Sequence, residues 1–384
     1  MRRLVLWFPM PVNCALDGLL VLDFSRAVAG PYCGTLLGDR GARVIKIEDP
    51  NGGDESRGWG PVYQAGESAY FLSLNRNKES LALDLKTVQA RDAIQRLIPR
   101  ADILIENFRP DAAARLGLSH AATRALNPRL IHATVSGFGT TGPESQRPGY
   151  DLIVQAMSGL MYANRQPDGT PYRVPFPVTD MFTGLFANQA ILTALIAREK
   201  TGQGAHVEAA LLDCLQSVLC SLGPMVLSNG QEPGIGNAIV PYHTFQCADG
   251  SVVIGTPNER IWQRFAKSVD RDIWLEDERF ANNQARCDNK DFVLGQIQQA
   301  VAHFTRAEVL DLMDRSEIPC GPIHTLVEAY LSPRAAVQTY EHPTAGTVRV
   351  PANPIRGLEE TTPIKPAPRL GEHTARILEE IGLG

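Results

Sequence analysis

The sequence predicts an α/β fold with a parallel sheet, followed by a second, smaller domain. Short apolar runs of strand length alternate with helical runs from Gly18 onward, which is the pattern of a parallel sheet covered on both faces. The texture then changes near residue 225, where Gly, Pro and Asn crowd together before a pair of short strands. At 384 residues the chain is also too long for one ordinary core.

The elements follow in order. "GLLVLDFS" (Gly18–Ser25) reads as a buried strand. "PYCGTLLGDRG" (Pro31–Gly41) reads as a helix with proline in its first turn and glycine past its end. "ARVIKIE" (Ala42–Glu48) completes a βαβ unit. A helix near Val88–Arg100 and strands at Ala101–Asn107 and Arg129–Ser136 continue the alternation. A long helix follows Asp180 and stops at "KTGQG", with Lys200 in its last turn and Gly202 beyond. Its uncharged stretch, Met181–Ala197, falls short of the ~20 residues of a membrane span and reads as a core helix. "AHVEAAL" and "LDCLQSVLCSLG" supply another strand and helix.

The first large-domain segment is placed at residues 1–224 and the small domain at 225–317. The small domain opens on "SNGQEPGIGNAIVPY", a crossing segment, then a hairpin signalled by Asp249-Gly250 and several helices. Residues 318–384, with "PCGPI", "TVRVP" and a last helix "GEHTARILEEIGL", are read as a return to the first domain.

Hydrophobic residues make up 44% and charged residues 21%, so the chain is globular. The net charge is −5 with scattered Lys and Arg, which excludes a basic footprint for nucleic acid or membrane. Seven cysteines with no CxxC pair argue against zinc and a disulfide framework, and for a cytoplasmic location. The N-terminal "MRRLVLWFPMPV" is read as a frayed extension, its apolar run being too short for a signal peptide.

"GFGTTG" (Gly137–Gly142) fits a dinucleotide motif literally, but Pro143 and "ESQRPG" follow where a helix should open, so it is read as a Gly-rich loop. There is no HExxH, GxSxG or GxxxxGK[ST], no metal site is expected, and His132 in its strand reads as a core residue. Asp180, at the start of the long helix, has two readings. It is a favoured N-cap type. It is also a carboxylate whose helix terminus favours the anion and lowers its pKa, and such an anion can attack an activated acyl carbon.

Pieces spread over most of the chain resemble the class III CoA-transferases (the CaiB/BaiF family). They include "LDGLLVLDFSRAVAGP", "GARVIKIEDPNGGDESRGWGP", "DILIENFRPDAAARLGL", "NPRLIHATVSGFGTTGP", "TDMFTGLFANQAILTALIAREKTGQGAHVEAALLD" and "LGEHTARIL", in the family's order. The resemblance implies a Rossmann-like large domain built from both chain ends, a smaller α+β domain between them, and an interlocked homodimer. It implies that Asp180 is the nucleophile, forming a mixed anhydride and then an aspartyl-CoA thioester, with acyl-CoA and a carboxylic acid as substrates and no tightly bound cofactor. It also implies CoA contacts at Val28, Ala29, Leu83, Lys86, Asn107, Phe108, Arg109 and Arg115, with Tyr150 and Asp151 lining the site.

Val28 stands where oxalate- or formate-handling members often carry Gln, and their tetraglycine loop is absent. "NRNK", "SQRPGYD" and "GNAIVPYHTF" are similar instead to members acting on dicarboxylic acids, the succinate–hydroxymethylglutarate and itaconate types. Arg26, Arg76 and Arg147 are candidates for a second substrate carboxylate. Asp49 replaces the basic or prolyl residue some members place beside adenine. The family's other chemistry, 2-methylacyl-CoA racemisation, uses a "GHD" stretch where this chain has Tyr150, and an unperturbed tyrosine, with a pKa of about 10, is a poor base. A non-catalytic CoA-binding protein is a third reading.

Overall fold

The computed structural model describes residues 14–60, 63–232, 239–356 and 364–384. The N-terminal extension and part of the crossing segment lie outside them. The chain divides into two units, Met1–Pro233 with Ala336–Gly384, and Gly234–Ala335.

The first unit is built on six parallel strands: β1 (Leu20–Asp23), β2 (Arg43–Glu48), β3 (Lys78–Ala82), β4 (Ile103–Glu106), β5 (Ile131–Ser136) and β6 (Ala205–Ala210), in the order β3-β2-β1-β4-β5-β6. The apolar runs explain the double cover. Along β1 and β4 the side chains alternate between two cores: Val21, Ile103 and Ile105 face one, Leu22 and Leu104 the other. The first core is closed by helices α1 (Ala29–Gly38), α3 (Val178–Thr201) and α4 (Leu211–Val218); α2 (Asp151–Met157) adds Val154. The second is closed by the helix Val88–Leu97 and by Ile377 and Ile381 at the C-terminus. Each such fully buried aliphatic side chain contributes about 1.5–3 kcal/mol. Chain ends also meet in a third cluster, where Phe71 and Leu72 pack with Tyr340, Val348 and Val350 of the hairpin Val337–His342/Gly346–Pro351.

The second unit holds an antiparallel sheet and helices around Trp262, Phe265, Trp274 and Phe280. Its hairpin Tyr242–Cys247/Gly250–Gly255 forms where Asp249-Gly250 signalled one. The expected return at residue 318 is corrected by the structure. Cys320–Pro322 pairs antiparallel with Gly250–Gly255, and Ile318 is buried in this second core, so the chain rejoins the first unit only at Ala336.

Helix α3 also departs from expectation. It has 24 residues and is long and apolar enough, by length and composition alone, to cross a membrane. Thr183, Ala187, Ile191 and Ala194 pack on the first core, whereas Leu185, Leu192 and Ile196 are exposed, so it is a core helix on one face only. Its C-terminus is as the sequence indicated: Gly202 adopts φ 71° and its N–H bonds the Arg198 carbonyl.

Helices α1 and α3 approach closely because Gly184 carries no side chain. A Cβ there would lie 2.7 Å from the Ala29 carbonyl oxygen and 3.0 Å from the Tyr32 ring. Alanine gains about 1 kcal/mol of helix propensity over glycine, but overpacking against backbone costs about 1–3 kcal/mol. Gly184→Ala is therefore expected to lower stability by about 1 kcal/mol net, read as a lower urea midpoint. An unchanged or raised midpoint would contradict this packing.

Candidate active site

The strand order reverses its direction of growth at β1 and β4, and ligands of open parallel sheets bind at the C-terminal ends of the strands at such a point. A crevice of about 630 Å³ lies there. Arg26 to Ala29 after β1 and Asn107 to Pro110 after β4 form two walls. Ser136 at the end of β5, with Gly137 and Arg147 to Leu152 after it, forms a third, and Pro177 and Asp180 at the start of α3 complete it.

Asp180 is not the cap of its helix. Pro177 occupies the N-cap and Asp180 is the third helical residue. The capping work falls to Asp151 of α2, whose Oδ1 accepts the Thr179 N–H at 2.8 Å while its Oδ2 accepts from Gln155 Nε2 at 2.7 Å. Among the described residues no hydrogen bond or ion pair holds the Asp180 carboxyl.

The expected lowering of its pKa is also overturned. Loss of hydration, followed by the charge of Asp151, pushes it up to about 7. The helix terminus contributes at most about 2 kcal/mol in the opposite sense, and these two effects outweigh it. Burial, then Asp180 and Asp151, likewise raise the Tyr70 phenol, which places that ring in the field of both carboxyls.

Val28, Ala29, Asn107, Phe108, Arg109, Tyr150, Asp151 and Asp180 are thus brought together in one crevice. Leu83, Lys86 and Arg115 are not among its lining residues. Leu83 is only 6% exposed and its side chain belongs to the second core. Lys86 is exposed beside Asp84, whose carboxylate takes its backbone N–H, and Arg115 is exposed and paired with Asp111 at 2.6 Å. These three positions, read as CoA contacts through motif resemblance, lie outside the crevice that holds the other expected contacts.

Of the three candidate arginines, Arg76 is buried, with Nε and Nη2 on Asp39 and Nη1 on the Ser73 carbonyl, and it does not line the crevice. Arg147 lines the crevice, pairs with Glu144 at 2.5 Å and lies over the Phe138 ring. Arg26 also lines it, with its guanidinium 5.8 Å from the centroid of Phe108.

Glu55, Trp59 and Tyr70 were missed by sequence reasoning. Trp59 packs edge-on to Tyr70 at 5.6 Å. A tryptophan flanked by glycines in "RGWG" was the available signal, since large aromatics on loops commonly serve binding.

The Gly137–Gly142 loop opens no helix; Glu208 accepts from Thr140 Oγ1 at 2.8 Å and from Ser136 Oγ at 3.1 Å beneath it. His132 is 1% exposed and bonds Thr123 Oγ1 at 2.8 Å, a core histidine, although His120 and His206 stand against it. Among the described residues no cluster of His, Cys, Asp or Glu could hold a metal.

Fold and crevice together define a parallel α/β protein with a ligand site at its switch point. The chain belongs to CoA-transferase family III, whose profile matches residues 16–374. It is 36% identical over 382 residues to a succinate–glutarate CoA-transferase of Agrobacterium fabrum, covering 95% of each chain. It is 37% identical over 371 residues to an acetyl-CoA:oxalate CoA-transferase of Acetobacter aceti, again covering 95% of each. A crystal structure of a CaiB/BaiF family protein from Brucella suis superimposes with a TM-score of 0.85 at 34% identity, covering 96% of this chain and 100% of that one.

The electrostatics of the crevice make a direct prediction. The Asp180 carboxyl is expected to be protonated below and ionised above a midpoint near pH 7. Carboxyl ¹³C chemical shifts, assigned with Asp180→Asn, would read this. Asp151→Asn keeps an acceptor for the Thr179 N–H, removes the like charge, and should move the midpoint down. A midpoint near 4 in the unaltered protein would contradict the account.

Proposed function

We propose that this enzyme transfers CoA from a dicarboxylyl-CoA, succinyl-CoA first among candidates, to a second carboxylic acid through covalent intermediates on Asp180. The observation that carries the reading is the unpaired Asp180 carboxyl lining the crevice beside Val28 and Ala29. A carboxylate with a pKa near 7 is half ionised at neutral pH and more basic than an exposed one, so it combines availability with nucleophilicity.

An Asp180 oxygen attacks the thioester carbonyl and the C–S bond breaks, leaving an acyl–aspartyl anhydride and CoA thiolate. The thiolate attacks the aspartyl carbonyl, which expels the donor acid and leaves aspartyl-CoA. The acceptor carboxylate attacks that thioester, regenerating thiolate and a new anhydride. Thiolate then attacks the acceptor's acyl carbon, giving the product thioester and free Asp180. Every bond broken is matched by one formed, so the sequence needs no ATP. Holding thiolate and anhydride in one crevice supplies an effective molarity on the order of 10⁵ M or more.

Arg26 and Arg147 around the crevice support a substrate with a second carboxylate, because guanidinium suits that group. Relatives named for glutarate and for oxalate are about equally similar, so overall identity does not choose the acceptor. The CoA tail is assigned to the walls bearing Val28, Ala29, Phe108 and Arg109. The chain is further proposed to act as a homodimer of the family's interlocked kind, a reading supported by the exposed apolar residues Leu185, Leu192 and Ile196 of α3 and Met225 and Leu227 nearby in sequence.

A panel assay with succinyl-CoA as donor and glutarate, itaconate, malate, oxalate and carnitine as acceptors is expected to favour a dicarboxylate of four or five carbons. Asp180→Ala should lower turnover by at least about a thousandfold. Retained turnover in that variant would remove the nucleophile assignment. Sedimentation equilibrium should return twice the chain mass, and a monomer would overturn the dimer reading.

A further inference from the structure

The turn between β1 and α1 is held in an unusual way. Its backbone polar groups are taken up by Asp23 at the end of β1 and by side chains from three other points of the fold. Asp23 Oδ1 accepts the Ser25 N–H at 3.0 Å, and Lys46 Nζ donates to the Ser25 carbonyl at 2.9 Å. Asn107 pairs with the next residue at both ends, its Oδ1 accepting the Arg26 N–H at 3.1 Å and its Nδ2 donating to the Arg26 carbonyl at 3.0 Å. Asp54 Oδ1 accepts the Ala27 N–H at 3.2 Å.

Asp54 and Lys46 are themselves buried and ion-paired at 2.8 Å. The clamp holds Ala27 at φ 68°, a left-handed conformation that a residue with a Cβ adopts only under constraint. Immediately after it come Val28 and Ala29, which line the crevice, and the Ala29 carbonyl packs against Gly184, one turn beyond Asp180.

We propose that Asn107 is a positioning residue of the transfer reaction, and not a contact of CoA: its amide extends the β1–β4 ladder by one rung and holds Arg26 to Ala29 in the shape the reaction needs. This rests on the transferase reading of the crevice. The amide's donor and acceptor ends are both committed to the Arg26 peptide groups, and the matching pattern fixes which end is which. Asn107 leads directly out of β4, whose Ile105 carbonyl already accepts the Phe24 N–H, so the side chain continues a hydrogen-bonded edge.

Released from the clamp, Ala27 should relax to a negative φ, and Val28, Ala29 and the Arg26 guanidinium would move with it. Free CoA would lose its fit to Val28 and Ala29 but keep the wall formed by Phe108 and Arg109. The loss should therefore fall on turnover more than on binding. Glycine at position 27 adopts a positive φ without penalty, so it should restore part of what loss of the clamp removes.

The test uses the full-length enzyme, Asn107→Ala, Ala27→Gly and the double variant. Calorimetric binding of free CoA, steady-state transfer, and deuterium uptake by the peptide covering residues 24–30 are measured in each. Asn107→Ala is expected to lower kcat by about tenfold or more, change CoA affinity by less than about threefold, and raise deuterium uptake at the turn. The double variant should recover several-fold in kcat. Weakened CoA binding with kcat unchanged and no rescue by Ala27→Gly would make Asn107 a ligand contact and overturn the proposal. So would unchanged turnover with unchanged exchange. If the unaltered enzyme transfers CoA between none of the acids offered, the transferase reading fails instead, while the exchange measurement still decides whether the clamp exists.

Discussion

The site is governed by one unfavourable juxtaposition, the carboxyl of Asp180 partly stripped of hydration, within the field of Asp151, and without a cation partner among the described residues. Left to itself, a carboxyl at a helix start would turn back to cap the helix, where backbone N–H groups await it. Here Asp151 takes that place at Thr179, which denies the cap to Asp180 and supplies the like charge that raises its pKa. One residue thus frees the neighbour and tunes it. The arrangement holds only because α1, α2 and α3 share one core around Val154, Ala187 and Ile191.

Beneath the crevice lies a second electrostatic layer, of opposite character. Lys46 with Asp54 and Lys78 with Asp23 form fully buried pairs at 2.8 Å. Burial works against the Lys46 ammonium, but Asp54, Asp23 and Glu48 outweigh it and hold its pKa above the usual value. Burial wins at Lys78, whose pKa falls to about 8. Replacing such pairs by apolar groups is often neutral or stabilising, whereas removing one partner costs about 3–5 kcal/mol. Their role here is better sought in geometry than in net stability: Asp23, Lys46 and Asp54 also grip the backbone of Ser25 and Ala27, and Lys78 donates to the Pro31 carbonyl at the start of α1.

Much of this was legible in the sequence because it depends on local pattern. The alternation of Val21 with Leu22 and of Ile103 with Leu104 follows from the two-residue strand period, and Gly202 announces the end of α3 through its backbone freedom. What was not legible depends on contacts distant along the chain. Nothing local distinguishes Asp180 as cap from Asp180 as third helical residue once a distant Asp151 supplies the acceptor. Leu83 has the same motif position whether it faces ligand or core. Cys320–Pro322 lies beyond the helices of the second unit and reads as a departure, yet its partner strand is some seventy residues earlier, at Gly250–Gly255. Arg76 and Arg26 are equivalent as letters, and only the structure pairs the first with Asp39. Resemblance located the nucleophile candidate, while the physical reason for its reactivity had to come from the packing around it.

The most direct test is intact-protein mass spectrometry of enzyme mixed with succinyl-CoA and quenched in acid within milliseconds, followed by peptide mapping. The account predicts a mass increase of either the acyl group or CoA, confined to the peptide bearing Asp180 and absent from Asp180→Asn. Full product formation with no adduct on that peptide at any quench time would contradict it.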